Sequence, residues 1–212
     1  MPESVKMILV LTLISGAAGL GLSAMNDLTK PLAEENDRLF TLSSINTVMP
    51  EAQTPDACES YEPAFDNSPD QDAVCVGNTI VYRGRKGDEI TGIAVKAIGD
   101  EAYSGTITVL VGLRMNDGVL TGLKVLKHAE TPGLGSLMTK CEFQQQMVGK
   151  GVTDINWTVV KDGGDISQLS GATISSRSML SAIHKAQAIW KDHKDEIQND
   201  EALAQGEVCD GQ

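Results

Sequence analysis

Six consecutive residues, Ser170-Gly171-Ala172-Thr173-Ile174-Ser175, set three hydroxyls around two positions with almost no side chain. Such a stretch suits the mouth of a helix, where short hydroxyls satisfy the unpaired backbone N–H groups of the first turn. Those N–H groups, at the positive end of the helix dipole, equally suit a phosphate. Gly171 and Ala172 leave the backbone open to close approach by a ligand. From these residues alone two readings stand: a helix cap and nothing more, or an anion site. A second stretch, Glu130-Thr131-Pro132-Gly133-Leu134-Gly135, carries a carboxylate, an apolar side chain and two glycines. Pro132 fixes its φ angle, while Gly133 and Gly135 allow backbone geometries closed to other residues. A loop of this kind exposes several N–H groups to a ligand. A plain strand-to-helix turn is its alternative reading.

Several other chemistries find no support. His128 follows a strand-like run with no partner that would make it a base or a ligand, and no Ser–His–Asp spacing can be argued. No Gly-x-Gly-x-x-Gly follows a strand, so no nicotinamide cofactor is expected on this chain. The formal net charge of −12 would repel a nucleic-acid backbone. Cys58 and Cys75 match no compact metal-site spacing; they are read as a disulfide across a surface loop or as two thiols. Cys141 and Cys209 receive no role.

The elements that must position these stretches can be read from periodicity. Met179, Ile183, Ala186, Trp190 and Ile197 fall close to one face of a helix, and Arg177 to Asn199 contains no Gly or Pro to interrupt it. A shorter helix is predicted near Leu137 to Val148. Thr79–Arg83, Glu89–Ile98, Thr106–Arg114, Val119–Leu126 and Asn156–Val160 read as strands. The third and fourth flank Asn116-Asp117-Gly118, a favoured hairpin turn. Helices around a largely antiparallel sheet make an α+β domain.

Ahead of that domain, Met7 to Met25 runs without a charge and would span about 28 Å as a helix, close to the hydrocarbon core of a bilayer. A cleaved signal peptide competes with an uncleaved anchor. The length of the run and the poor cleavage site at Ser23-Ala24-Met25 favour the anchor. Lys6 on the short leading tail suggests an inside N-terminus and a domain outside. The expected division is 1–28 for tail and transmembrane helix, and 29–76 for a connecting amphipathic helix (Thr29 to Val48, with Thr29 and Pro31 at its start) plus a polar loop. A binding domain over 77–200 and a polar tail over 201–212 complete it.

Taken with His128-Ala129-Glu130-Thr131-Pro132-Gly133-Leu134-Gly135, the Ser-Gly-Ala-Thr stretch resembles the FMN-binding domain of the Rnf and Nqr redox complexes. The G subunits of the Rnf complex are the nearer match, followed by the C subunits of the sodium-pumping NADH:quinone oxidoreductase. The resemblance implies FMN joined through its phosphate to the Thr173 hydroxyl by a flavin transferase. It also implies a flavin site around Ser170, Gly171, Ala172, Ser175, Thr131, Gly133 and Gly135. Leu134 would face the isoalloxazine, Glu130 would accept hydrogen bonds from the loop or the ribityl chain, and Lys161 would offset phosphate charge. Tyr103, in the family's recurrent Tyr-Ser-Gly stretch, is a rim aromatic or a flavin contact. The implied function is electron relay in a membrane-bound, ion-translocating ferredoxin:NAD⁺ oxidoreductase, with the other subunits and the transferase as partners. The implied place is the inner (cytoplasmic) membrane, with the domain on its extracytoplasmic side. The alternatives are the Nqr subunit and a flavin-free anchored assembly module.

Overall fold

The computed structural model describes residues 2–49, 72–77 and 79–198. The polar loop, Cys58 and the C-terminal tail therefore lie outside the described residues. The chain forms two compact units, Met1–Phe40 and Thr41–Gln212.

One helix, α1 (Glu3–Val48), replaces the two segments expected from sequence, with Pro31 inside it. The proline lacks an N–H and so removes one hydrogen bond, but a helix of 46 residues tolerates that loss. Thr29 Oγ1 donates to the Met25 carbonyl at 2.9 Å, so the residue expected to open a second helix is engaged within the first. At 1.5 Å per residue α1 is about 69 Å long, roughly twice the thickness of a hydrocarbon core. Its apolar part is long and hydrophobic enough to cross a membrane, with a mean hydropathy of 2.0 over its best window.

The second unit is built on five strands: β1 (Ala73–Val76), β2 (Thr79–Lys86), β3 (Glu89–Ile98), β4 (Thr108–Arg114) and β5 (Leu120–Lys127). They lie in sequence order, every neighbouring pair antiparallel. The fold is α+β. Turn chemistry explains the connections: Gly87 and Gly118 both take positive φ, at +64° and +69°. Strand alternation then sorts the side chains. Val95, Val109, Val111 and Leu113 join Met179, Ile183 and Ala186 of α3 (Thr173–Asp192) in one core. Ala94, Leu110 and Tyr82 meet Ile45, Val48 and Met49, at the end of α1, on the other face.

That second contact depends on two glycines paired across strands, Gly112 and Gly122. A Cβ on Gly112 would lie 1.9 Å from the Val48 carbonyl oxygen, and one on Gly122 would lie 2.8 Å from Val48 Cα. The missing side chains form a notch, and Thr121 Oγ1 donates to the Val48 carbonyl at 2.6 Å inside it. Gly112→Ala should therefore destabilise the protein by about 3 kcal/mol, since backbone rather than a flexible side chain must move. Denaturant unfolding of the full chain in detergent measures this.

Elsewhere the elements differ from the sequence reading. Asn156–Val160 forms no ladder: only an isolated bridge, Val159 to Ile166, occurs there. Its aromatic, Trp157, is buried and gives its indole N–H to the Gly151 and Val152 carbonyls. The helix expected near Leu137–Val148 is a 3₁₀ turn, Gly135–Thr139, and one α turn, α2 (Cys141–Gln144). Lys140 between them is extended, at φ −79° and ψ 143°. The long helix breaks at His193 before α4 (Lys194–Gln198). Cys75 and Cys141 are both disulfide-bonded, so Cys141, which the sequence left without a role, has one.

Candidate functional site

The first turn of α3 and the loops facing it enclose a cavity of about 590 Å³. Gly171 comes first, at φ +74°. A Cβ there would touch Leu134 and sit in the left-handed region, so the turn into α3 calls for glycine. Ala172 occupies the N-cap position, and no side chain caps the helix. This corrects the expectation of a Ser/Thr cap. The nearby hydroxyls are buried and must find partners in the interior. Ser176 Oγ donates to the Ala172 carbonyl and accepts the Leu169 N–H, at 3.1 and 3.0 Å. Ser175 Oγ donates to Glu130 Oε2 at 2.5 Å.

Thr173 is different. It is the first helical residue, half-buried, and lines the cavity. Its hydroxyl makes no hydrogen bond among the described residues, so the site offers one unengaged hydroxyl at the positive end of a 20-residue helix.

The wall opposite comes from the loop after β5. Glu130, Thr131, Leu134 and Gly135 line the cavity. Glu130 is only 6% exposed; besides the Ser175 hydroxyl it accepts the Ser104 N–H at 2.9 Å. Its own N–H is received by His128 Nδ1 at 3.2 Å, which makes His128 a support for the loop. Gly135 is packed so closely that a Cβ would lie 2.4 Å from Glu130 Oε2 and 2.7 Å from Ser175 Oγ.

Tyr103 and Lys161 complete the rim. Tyr103 projects from a tight turn closed by the Ala102–Gly105 bridge and is 75% exposed. Lys161 sits on the 3₁₀ turn Val160–Asp162. Arg177, one helical turn beyond Thr173, grips Asp162 through two hydrogen bonds of 2.7 Å and so holds that turn beside α3. The guanidinium keeps the Asp162 carboxyl below its ordinary 3.8, so the pair is intact at neutral pH and opens only in strong acid.

The cavity thus gathers Tyr103, Glu130, Thr131, Leu134, Gly135, Lys161, Gly171, Ala172, Thr173 and Ser175 from distant parts of the chain. Ser170 and Gly133 are exposed and do not line it. Ile174, which the sequence reading passed over, does line it and is 47% exposed. Its place immediately after Thr173 was the available signal. Ser104 and Arg177 were also passed over, because each acts through a partner far away in sequence.

These residues fit a flavin nucleotide. The volume falls in the ordinary range for cofactor sites, about 300–1,000 Å³. Tyr103, Leu134 and Ile174 provide aromatic and apolar surface for a ring system, and Lys161 with the α3 N-terminus provides positive potential for a phosphate.

Comparisons with known proteins point the same way. An FMN-binding domain family matches residues 102–188. The G subunit of the ion-translocating oxidoreductase complex of Aliivibrio fischeri is 34% identical over 199 residues, covering 91% of this chain and 93% of that protein. Its namesake from Methanosarcina acetivorans is 34% identical over 187 residues, covering 87% and 93%. The Escherichia coli counterpart is 32% identical over 180 residues, covering 81% and 83%. Among solved structures, NqrC of Shewanella oneidensis superposes with a TM-score of 0.51 at 16% identity, covering 78% of this chain and 99% of that one. That likeness speaks to the fold alone.

Proposed function

Because the chain belongs to the family of G subunits of ion-translocating oxidoreductase complexes, we propose that it is the electron-relay subunit of an Rnf-type ferredoxin:NAD⁺ oxidoreductase, carrying FMN linked through its phosphate to Thr173. One observation carries the linkage. Of the hydroxyls around the start of α3, Ser175 and Ser176 are engaged and buried and Ser170 lies outside the cavity, leaving Thr173 unengaged within it.

Bound FMN supplies reversible uptake and release of electrons; the protein supplies position and electrostatics. Thr173 Oγ1 is the ester oxygen, so it anchors and does not transfer protons. Lys161 offsets phosphate charge at the rim. Leu134, Ile174 and Tyr103 shield the ring from water, while Glu130 and Ser175 hold the first turn of α3 in place. A covalent bond suits an extracytoplasmic site, from which free flavin would diffuse away.

The protein is membrane-associated, through the apolar part of α1. The disulfides at Cys75 and Cys141 support an extracytoplasmic domain, since such bonds persist in oxidising compartments. Other subunits of the complex and a flavin transferase are the partners this reading requires. Near full-length coverage of G subunits favours the Rnf over the Nqr assignment. Mass spectrometry of the peptide containing Thr173, from protein co-expressed with its transferase, should show the added mass of FMN. An unmodified peptide would reject the linkage.

A further inference from the structure

Lys161 is the one cationic side chain among the described residues that line the cavity, and its ammonium makes no hydrogen bond or ion pair with them. It stands on the 3₁₀ turn Val160–Asp162, none of whose residues is buried, so packing does little to fix that turn. Hydrogen bonds fix it instead. Val160 gives its N–H to the Ile166 carbonyl at 2.8 Å, and Lys161 gives its own to Gln168 Oε1 at 3.2 Å. Both of these run to the loop ahead of α3. Among the described residues, the only hydrogen bonds from the turn to α3 itself are the two that Asp162 accepts from Arg177, one at each carboxylate oxygen. Arg177 follows Thr173 by four positions, so the helix sets both on one face, a turn apart. A guanidinium fork on a carboxylate fixes orientation as well as distance. With side chains 47% and 40% exposed, the pair adds little to global stability. What it does is join the turn that carries the cavity's cation to the helix that carries Thr173.

We infer that Arg177 and Asp162 are positioning residues that hold Lys161 at the cavity rim, where its ammonium selects flavins that carry a phosphate over flavins that do not. A lysine head hangs on a flexible four-carbon stem, so the backbone that carries it sets where it can reach. With the turn tied to α3, the ammonium and the N–H groups at the start of the helix stay within reach of one anion. Released from α3, the turn would carry the ammonium away, and the phosphate would keep only the helix end. Riboflavin ends in an uncharged ribityl chain and gains little from either group, so its affinity measures the rest of the cavity. Arg177 and Asp162 act on the phosphate only through Lys161.

The inference rests on the flavin reading of the cavity, and the two can fail separately. Full-length protein made without the transferase, and so unloaded, is titrated in detergent with FMN and with riboflavin, and flavin fluorescence gives both affinities. The native chain should favour FMN by more than about tenfold, the worth of one hydrogen bond to a charged group. Lys161→Gln should lower that preference about tenfold. Arg177→Ala and Asp162→Ala should each lower it by a similar factor, with riboflavin affinity unchanged. Asp162→Ala is the decisive variant. Removing a negative charge beside the site would raise the preference if the field alone mattered, whereas losing the tie to α3 lowers it. In a Lys161→Gln background neither alanine should lower it further. A merely structural role would weaken both flavins alike and leave the preference as it was. An unchanged preference in Lys161→Gln, or an unchanged or raised one in Asp162→Ala, overturns the inference, and so does a further drop in the Lys161→Gln background. Should Arg177→Ala fail to fold, Asp162→Ala decides alone. A native chain that binds both flavins equally overturns the inference and leaves the flavin reading standing. One that binds neither overturns it too, and the mass of the Thr173 peptide then says whether the flavin reading falls with it.

Discussion

Thr173→Ala, denatured and run on a gel, should show no flavin fluorescence at the position where the native protein should give a fluorescent band. On the proposed linkage the effect is complete, because the substitution removes the ester oxygen and no other hydroxyl at the start of α3 is both unengaged and inside the cavity. Ser175 is buried with its hydroxyl committed to Glu130, and Ser176 is buried with its hydroxyl committed to the Ala172 carbonyl. Ser170 is exposed outside the cavity, so Ser170→Ala should keep the band. Misfolding does not account for the predicted loss. Thr173 is half-buried, its hydroxyl bonds to nothing among the described residues, and alanine favours a helix. The change in stability should stay within about 0.5 kcal/mol, as for substitutions away from packed or bonded groups. Covalent fluorescence surviving in Thr173→Ala would reject the linkage.

Gly135→Val should be the most damaging single substitution in the loop. A Cβ at this position would lie 2.4 Å from Glu130 Oε2, 2.7 Å from Ser175 Oγ and 2.9 Å from Glu130 Cβ. Neither neighbour can give way cheaply, because each holds the other in a buried hydrogen bond. Opening that bond leaves a buried carboxylate short of a donor, at about 3 kcal/mol, before the added methyls are accommodated. The cavity wall and the start of α3 move apart together, so flavin content per chain should fall at least about tenfold, since small misplacements at a site of this kind are heavily penalised. Unfolding in detergent and the ratio of flavin to protein absorbance measure the two effects. Gly133→Ala is the control. Its φ of +77° imposes strain of about 1 kcal/mol, but nothing lies within 4 Å of the new methyl, so flavin content should hold.

These two predictions rest on different kinds of information. That Thr173 stands at the mouth of a helix follows from the sequence, because a hydroxyl-rich stretch with glycine ahead of a 3.6-residue periodicity is a local signal. The hairpin at Asp117-Gly118 was legible for the same reason, and so was the apolar run that makes α1 long enough for a membrane. In each case the residues that decide the structure are neighbours in the chain.

The misreadings have a common cause. Thr29 and Pro31 suggested a helix start, yet the helix continues through them, because one lost hydrogen bond is small beside those on either side. Asn156–Val160 has strand-like composition but makes only the Val159–Ile166 bridge and joins no ladder of the five-stranded sheet. The run from Leu137 to Val148 has helical spacing, yet Lys140 is extended and divides it. The Ser170–Ser175 stretch was expected to cap the helix with a hydroxyl, yet none does, and the Ser175 hydroxyl is bonded to Glu130 instead.

Composition, turn residues and periodicity in the chain by themselves determined the antiparallel α+β domain, the apolar N-terminal helix and the place of Thr173 at the start of a helix. Only the tertiary structure decided that Glu130 would be buried, that Ser104 and Ser175 would hold it, and that Gly135 would make room for them. Those contacts join residues 26 and 45 positions apart, and no local preference sets them. They arise because a buried polar atom must find a partner wherever the fold places one.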